Sequence, residues 1–239
     1  MRNRTKLMAI LTMVVVLCGL CIVSVQAASF LDFAMGPPHP STASVYFNGG
    51  PNNPLVGTDI SVFNVAGIGT PINSGVVLPI TFGDVDFTTG NFSGTSGNQW
   101  FFGGGGSLTV KGAISTLGLP AGTSLITGVF TNVSVTQIPV TYGGFTVYNF
   151  DVAVAGFQDE KNSALLQYFG YPANASSDGN FNLSFLTAGF VKPGDAFTSI
   201  SVLSGDVVNF PVPLPPSMLL LGTGILGLVG LGWRRRKTS

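Results

Sequence analysis

Cysteine is nearly absent. Two occur in 239 residues, Cys18 and Cys21, and both lie in the apolar run at the N-terminus. Everything that follows must therefore hold together without disulfides, even in an oxidising compartment. Arginine is confined to positions 2, 4 and 234–236, so residues 28–210 contain none. That stretch sets three lysines, Lys111, Lys161 and Lys192, against ten acids, a net charge of −7. Such a surface is repelled by nucleic acid and by anionic lipid, and it lacks the guanidinium fork that grips phosphates. One histidine, His39, and no cysteine leave too few of the usual ligands for zinc. A Ser-His-Asp triad would have to use His39, and no nucleophile elbow surrounds it. The glycines at 103–106 are not followed by Lys-Ser/Thr, which excludes a phosphate loop.

The two ends account for the cations. Arg2, Arg4 and Lys6 precede an apolar segment, Leu7–Val23, and Val25 and Ala27 supply permitted residues at −3 and −1. Residues 1–27 therefore read as a secretory signal peptide cut between Ala27 and Ala28. Leu17 and Leu20 stand before the cysteines, where lipid attachment needs a small residue, so no lipoprotein site is expected. At the other end, residues 211–239 fall into three parts. A proline-rich knuckle, Pro211–Pro216, leads into the uncharged run Ser217–Trp233 and then into Arg234, Arg235, Arg236 and Lys237. As a helix the run is about 25 Å long against a roughly 30 Å hydrocarbon core, and it spans if flanking residues snorkel or the bilayer thins. Pro215 and Pro216 suit a helix start. Trp233 suits an interface, and the four cations would remain cytoplasmic. On composition alone this is a single-pass membrane anchor.

The order of those parts resembles the PEP-CTERM domain of bacterial exported proteins. Pro213-Leu214-Pro215, followed by Pro216-Ser217, occupies the place of the family's Pro-Glu-Pro motif, with Leu214 where that motif has glutamate. Stretches of the body, LVGTDISVFNVAG and FQDEKNSALLQYFG among them, resemble the bodies of other such proteins. The resemblance implies a bacterial protein held transiently in the inner membrane and cut near Pro213–Pro216 by an exosortase-type enzyme. The body would then reside at the cell surface or in an exopolysaccharide matrix. The implied partners are the membrane, the processing enzyme and exopolysaccharide. The tail is a substrate, so no catalytic residue, cofactor or metal is implied for the chain itself.

Residues 28–210 read as one all-β body, a sandwich or jelly roll with one short helix. Glycines punctuate short runs rich in Val, Ile, Thr and Phe. Residues 29–58 carry loop chemistry, GPPHP and NGGPNNP, around a strand at 43–47. Residues 59–65 alternate cleanly, and 78–87 alternate with a phase change at Gly83-Asp84, a bulge signature. Strands at 99–102 and 107–114 flank Gly103–Gly106, which reads as a turn, and further strands follow at 125–138, 144–157, 181–185 and 196–208. Only Asp159–Phe169 argues for helix, with an Asp159 cap and Glu160 in the first turn.

Few residues in the body suggest chemistry. Asp84 and Asp86, two apart on one strand face, form a carboxylate pair that suits a secreted hydrolase or Ca²⁺, or simply a solvated face. Trp100, Phe101 and Phe102 suit a sugar platform, and hence a carbohydrate-binding module, or the core. Asp178-Gly179-Asn180 reads as a turn rather than a Ca²⁺ loop. Asn91, Asn132, Asn174 and Asn182 each begin a glycosylation sequon. The leading expectation is a non-enzymatic structural or interaction protein. A carbohydrate-binding module and a permanently anchored surface protein are the alternatives, and a hydrolase ranks below them.

The mature protein is expected to begin at Ala28. N-terminal sequencing that returned Met1, or a start displaced by more than about three residues, would contradict the signal-peptide assignment.

Overall fold

The structure, a computed structural model, describes residues 29–142, 145–175 and 177–211. The signal segment and the tail from Val212 onward, with the expected membrane span 217–233, lie outside the described residues. Among the described residues no helix is long and apolar enough to cross a membrane.

Alternation organises the body. From Ser177 to Thr187 every second residue is buried and the residues between face outward. A strand with one dry face must lay that face on a core. Ten strands do so: β1 Phe30–Met35, β2 Ser44–Phe47, β3 Pro54–Ile68, β4 Val77–Ser96, β5 Gln99–Phe102, β6 Gly105–Ala113, β7 Ser124–Tyr142, β8 Phe145–Lys161, β9 Ser177–Thr187 and β10 Phe197–Pro211. A helix, α1 (Ser163–Tyr168), joins β8 to β9, and a 3₁₀ turn, Ser115–Leu117, lies between β6 and β7.

All ten strands belong to one sheet, and every pairing is antiparallel. The pairings run from β3 to β4, through β5 and β6 to β7, and on through β8 and β9 to β10, and β10 returns to β1 and β2, which pair with β3. The sheet is therefore closed on itself. Two positions in the ring are each filled by two strands in line: β1 and β2 between β10 and β3, and β5 and β6 between β4 and β7. Strands adjacent in sequence are adjacent in space, which is an up-and-down barrel. The all-β antiparallel body with one short helix agrees with the sequence reading, but the two-sheet sandwich or jelly roll does not. Alternation reports only that one face is buried, and both architectures satisfy it. The deciding contact is β1 on β10, Leu31 opposite Asn209, which closes the ring and leaves no free edge at that seam.

The barrel is solid. Around Phe47, the rings of Phe92, Phe102 and Phe197 lie 5.2 to 5.8 Å away, and Trp100, Phe150 and Phe185 extend the same cluster. A second cluster joins Phe87, Phe130, Phe157 and Phe181. Leu165, Leu166 and Phe169, from α1 and its C-terminal cap, close one end and are fully buried. Edge-on contacts between such rings add to the burial of their area.

Local differences from the sequence reading have local causes. Residues 30–35 are a strand rather than loop, with Leu31, Phe33 and Met35 inward. Asp159–Lys161 continue β8, paired to β7 as far as Ile126 opposite Lys161. The helix cap therefore moves to Asn162, whose Oδ1 accepts the Ala164 N–H at 3.0 Å. Asp178-Gly179-Asn180 lies in β9 rather than a turn, because the Phe157 ring packs against the bare Gly179 backbone. The change of phase near Gly83-Asp84 is real: β4 slips register against β6 between Thr81 and Asp84.

Gly103–Gly106 is not a hairpin turn. The hairpin is at Gly97-Asn98, where Ser96 faces Gln99. The glycine run is a break within one barrel stave, with β5 and β6 continuing in the same direction against the same two neighbours. Gly106 has φ +71°, and a Cβ there would lie 1.9 Å from the Thr88 carbonyl oxygen. Gly106→Ala is expected to cost about 3 kcal/mol or more, strain and backbone clash together. Gly97→Ala, at φ +57° with open space around it, should cost only about 1–2 kcal/mol. Urea midpoints of the two variants measure the difference.

Candidate functional site

Strand direction fixes where the two chain ends leave the barrel. β1 begins at Phe30 and β10 ends at Pro211, and the two strands are antiparallel neighbours, so both termini emerge at one end. The same end carries α1. Pro211 is still in register, opposite Ser177 of β9. Pro213, the first residue of the expected processing motif, is therefore two residues past the last described pairing. Pro213, Leu214, Pro215, Pro216, Ser217, Trp233, Arg234, Arg235, Arg236 and Lys237 all lie outside the described residues, as do Ala27 and Ala28.

Just inside this end sits a buried polar cluster that sequence reasoning missed. Asp159 and Lys161, two apart on β8, both turn inward, continuing the parity set by Phe157. Lys161 Nζ lies 2.8 Å from Asp159 Oδ2, and their side chains are 2% and 0% exposed. Burial pushes the Asp159 carboxyl up and the Lys161 ammonium down, and in each case the partner's attraction opposes the shift. Desolvation thus drives the pair toward neutral acid and neutral amine. Nearby Asn209 of β10 is 1% exposed, and neither atom of its amide has a hydrogen-bond partner among the described residues. Asn209 and Lys161 line one narrow void with Leu31, Leu166, Tyr171 and Ser177, too tight to admit water. A buried amide without partners costs about 1–3 kcal/mol. The available signal was an acid and a lysine at the inward parity of a strand.

The residues singled out from sequence do not converge. Trp100 is fully buried against Phe150 and Phe197, at 5.3 and 5.8 Å, and Phe102 is buried beside Phe47. Trp100 and Phe102 build the core, as one of the two sequence readings had it, and the sugar platform at Trp100 does not form: alternation puts residues 100 and 102 inward together. Asp84 and Asp86 lie on the outer face of β4. Asp86 is held by Lys111 at 3.3 Å and accepts the Asp59 N–H at 3.0 Å. Burial and then the charge on Asp86 push the Asp84 carboxyl up, while Lys111 opposes them. No group of three or more His, Cys, Asp or Glu suited to a metal occurs among the described residues. Asn91, Asn132, Asn174 and Asn182 are all exposed.

His39 belongs to the excursion between β1 and β2. Its Nδ1 accepts the Ser61 N–H at 3.1 Å, and the Ser61 hydroxyl donates to the Pro38 carbonyl at 3.1 Å. The imidazole faces the backbone of Ser61 rather than its hydroxyl, so the pair pins a loop onto β3. Burial holds its pKa below the ordinary value, partly offset by a hydrogen bond with the Leu203 backbone.

Residues 211–237 match the model of the PEP-CTERM protein-sorting motif. No curated protein and no solved structure matches the chain. The motif indicates a bacterial protein exported to the cell surface or extracellular space and processed by an exosortase-type enzyme.

His39 should destabilise the fold in acid. A folded pKa below the ordinary value of 6.5 means that the unfolded chain binds more protons. The favourable contribution is thus present above pH 6.5 and lost as pH falls through the folded value. In His39→Asn the amide oxygen keeps the Ser61 contact and does not titrate. The stability of wild type relative to this variant is expected to fall between pH 7.5 and 5. Because the chain has a single histidine, its proton-NMR titration reads the midpoint directly, expected below 6.5.

Proposed function

We propose that this chain is a non-catalytic structural protein of the bacterial surface or its exopolysaccharide matrix, delivered as a closed barrel and released by cleavage of its tail. The observation that carries the reading is the position of the sorting motif relative to the sheet. Among the described residues the last paired one is Pro211, opposite Ser177, and the matched motif, residues 211–237, shares only that residue with them. A cut within 213–217 would therefore leave every described strand pairing and the aromatic core in place.

The order of events follows from charge. The signal peptide carries the body across the membrane. The uncharged run 217–233 then halts transfer, because four consecutive cations are costly to move through hydrocarbon. The knuckle is left at the outer interface, where prolines keep the backbone extended and free of helical hydrogen bonds. An extended segment is the form that a protease can align beside its nucleophile. Both barrel termini leave at the α1 end, so this end faces the membrane until the tail is cut. A surface of net charge −7 without arginine is repelled by anionic lipid, which favours departure once the anchor is gone.

Intact-mass analysis of the protein from its native host, with and without its processing enzyme, tests the reading. The expected result is a C-terminus within 211–217 in the competent strain and at Ser239 in the deficient one. Ser239 in both would make the tail a permanent anchor. Replacing Pro213 and Pro215 with alanine should slow cleavage while membrane retention persists.

A further inference from the structure

We infer that Lys161 and Asn209 are joined in the mature protein by an amide cross-link between the lysine Nζ and the asparagine Cγ, with Asp159 moving the proton. The inference stands independently of how the tail is processed.

Two groups with the required chemistry line one dry void, and a third holds the first of them. The nucleophile is Lys161, its side chain 2% exposed. The electrophile is Asn209, 1% exposed, its amide oxygen and nitrogen both without hydrogen-bond partners. The two line the same void, which excludes water. Asp159, with its side chain fully buried, holds Nζ at 2.8 Å. The residues of β9 that face inward between β8 and β10 are Ser177 and Gly179, both small. Nζ is turned toward Asp159 and makes no hydrogen bond to Asn209, so the reaction requires the lysine to rotate into the void. Burial favours the uncharged amine and the protonated acid, the states that addition needs. Proximity and exclusion of water supply the rest of the drive.

The step balances without a co-reactant. The lone pair of neutral Nζ adds to Cγ of Asn209 as protonated Asp159 gives its proton to the amide oxygen. The carboxylate so formed takes a proton from the adduct's Nζ and passes it to Nδ2. The bond from Cγ to Nδ2 then breaks, Nδ2 leaves as ammonia, and the hydroxyl proton returns to Asp159 as the carbonyl re-forms. One carbon–nitrogen bond is exchanged for another, and nothing is oxidised or reduced.

The position suits a cross-link. The body has no cysteine, so no disulfide can brace it. Asn209 stands two residues before Pro211, where β10 passes into the tail. Any pull on the tail is applied to β10 first, and the bond would tie that strand to β8 across β9. An unpartnered buried amide is otherwise a net cost to the fold.

Peptide mapping of the denatured protein from its native host reads the bond directly. Trypsin should fail to cut after Lys161. Chymotrypsin, which does not cut the Phe210-Pro211 bond, should yield residues 158–165 joined to the C-terminal peptide that begins at residue 204, lighter than their sum by one ammonia. Recovery of both peptides free, with full tryptic cleavage at Lys161, overturns the proposal. Lys161→Met should abolish the joined peptide. Asn209→Asp should form the same link with loss of water in place of ammonia, a signature that altered stability cannot mimic. Full-yield linkage in Asp159→Asn would overturn the proton role assigned to Asp159.

Discussion

The pairing of β1 with β10 is the contact on which the rest of this molecule depends. It joins the first and last strands of the body, some 180 residues apart in the chain, at the entropic cost of closing a very long loop. It gives a sheet without an edge at the seam and an interior lined all round by strands. It also sets the polarity of the whole particle. Because these two strands are antiparallel, both termini leave at the α1 end, and the apolar segments at either end of the chain are tethered to one side of the barrel.

The interior then solves a filling problem. A closed ring of this size holds either a ligand cavity or side chains. Here Phe47, Phe87, Phe102, Phe130, Phe150, Phe157, Phe181, Phe185 and Trp100 fill it. Rings of that size need bare backbone opposite them, which is why Gly179 lies under Phe157 and why the Asp-Gly-Asn triplet is strand rather than turn. A packed interior of this kind suits a particle that must persist outside the cell without disulfides. At the α1 end Asp159, Lys161 and Asn209 occupy inward positions that patterning alone would assign to apolar residues. Placing an ion pair there carries a desolvation cost that a hydrophobic pair would not, and the cluster lies at the point where the tail would transmit force.

Delivery and durability therefore draw on different parts of the chain. The sorting motif acts through order and charge: prolines, an uncharged run, then cations. It overlaps the described sheet only at Pro211, the last paired residue of β10, so a cut at 213–217 would spare every described pairing. The body contributes a closed surface with ten acids against three lysines and no arginine, which keeps it clear of anionic membrane.

Sequence alone determined the chemistry of the ends and the character of the body. The tail was legible because its signal is linear: proline, apolar length and cation count depend on neighbours in the chain and on nothing folded. The all-β character was legible because period-2 alternation is local, and the bulge near Gly83-Asp84 showed as a break in that phase. Tertiary structure decided the rest. Whether ten strands stack as two sheets or close as one depends on Leu31 meeting Asn209, a contact to which no local pattern is sensitive. Gly103–Gly106 looked like a turn because glycine permits one, yet the chain runs straight on, its path fixed by the Thr88 carbonyl and the two flanking strands. The helix started three residues late for the same kind of reason. Asp159 and Glu160 carry good capping letters, but pairing with β7 holds them in the sheet, and the cap passes to Asn162. The buried cluster was the least legible of all, since Asn209 and Lys161 are brought together only by the strand that lies between them.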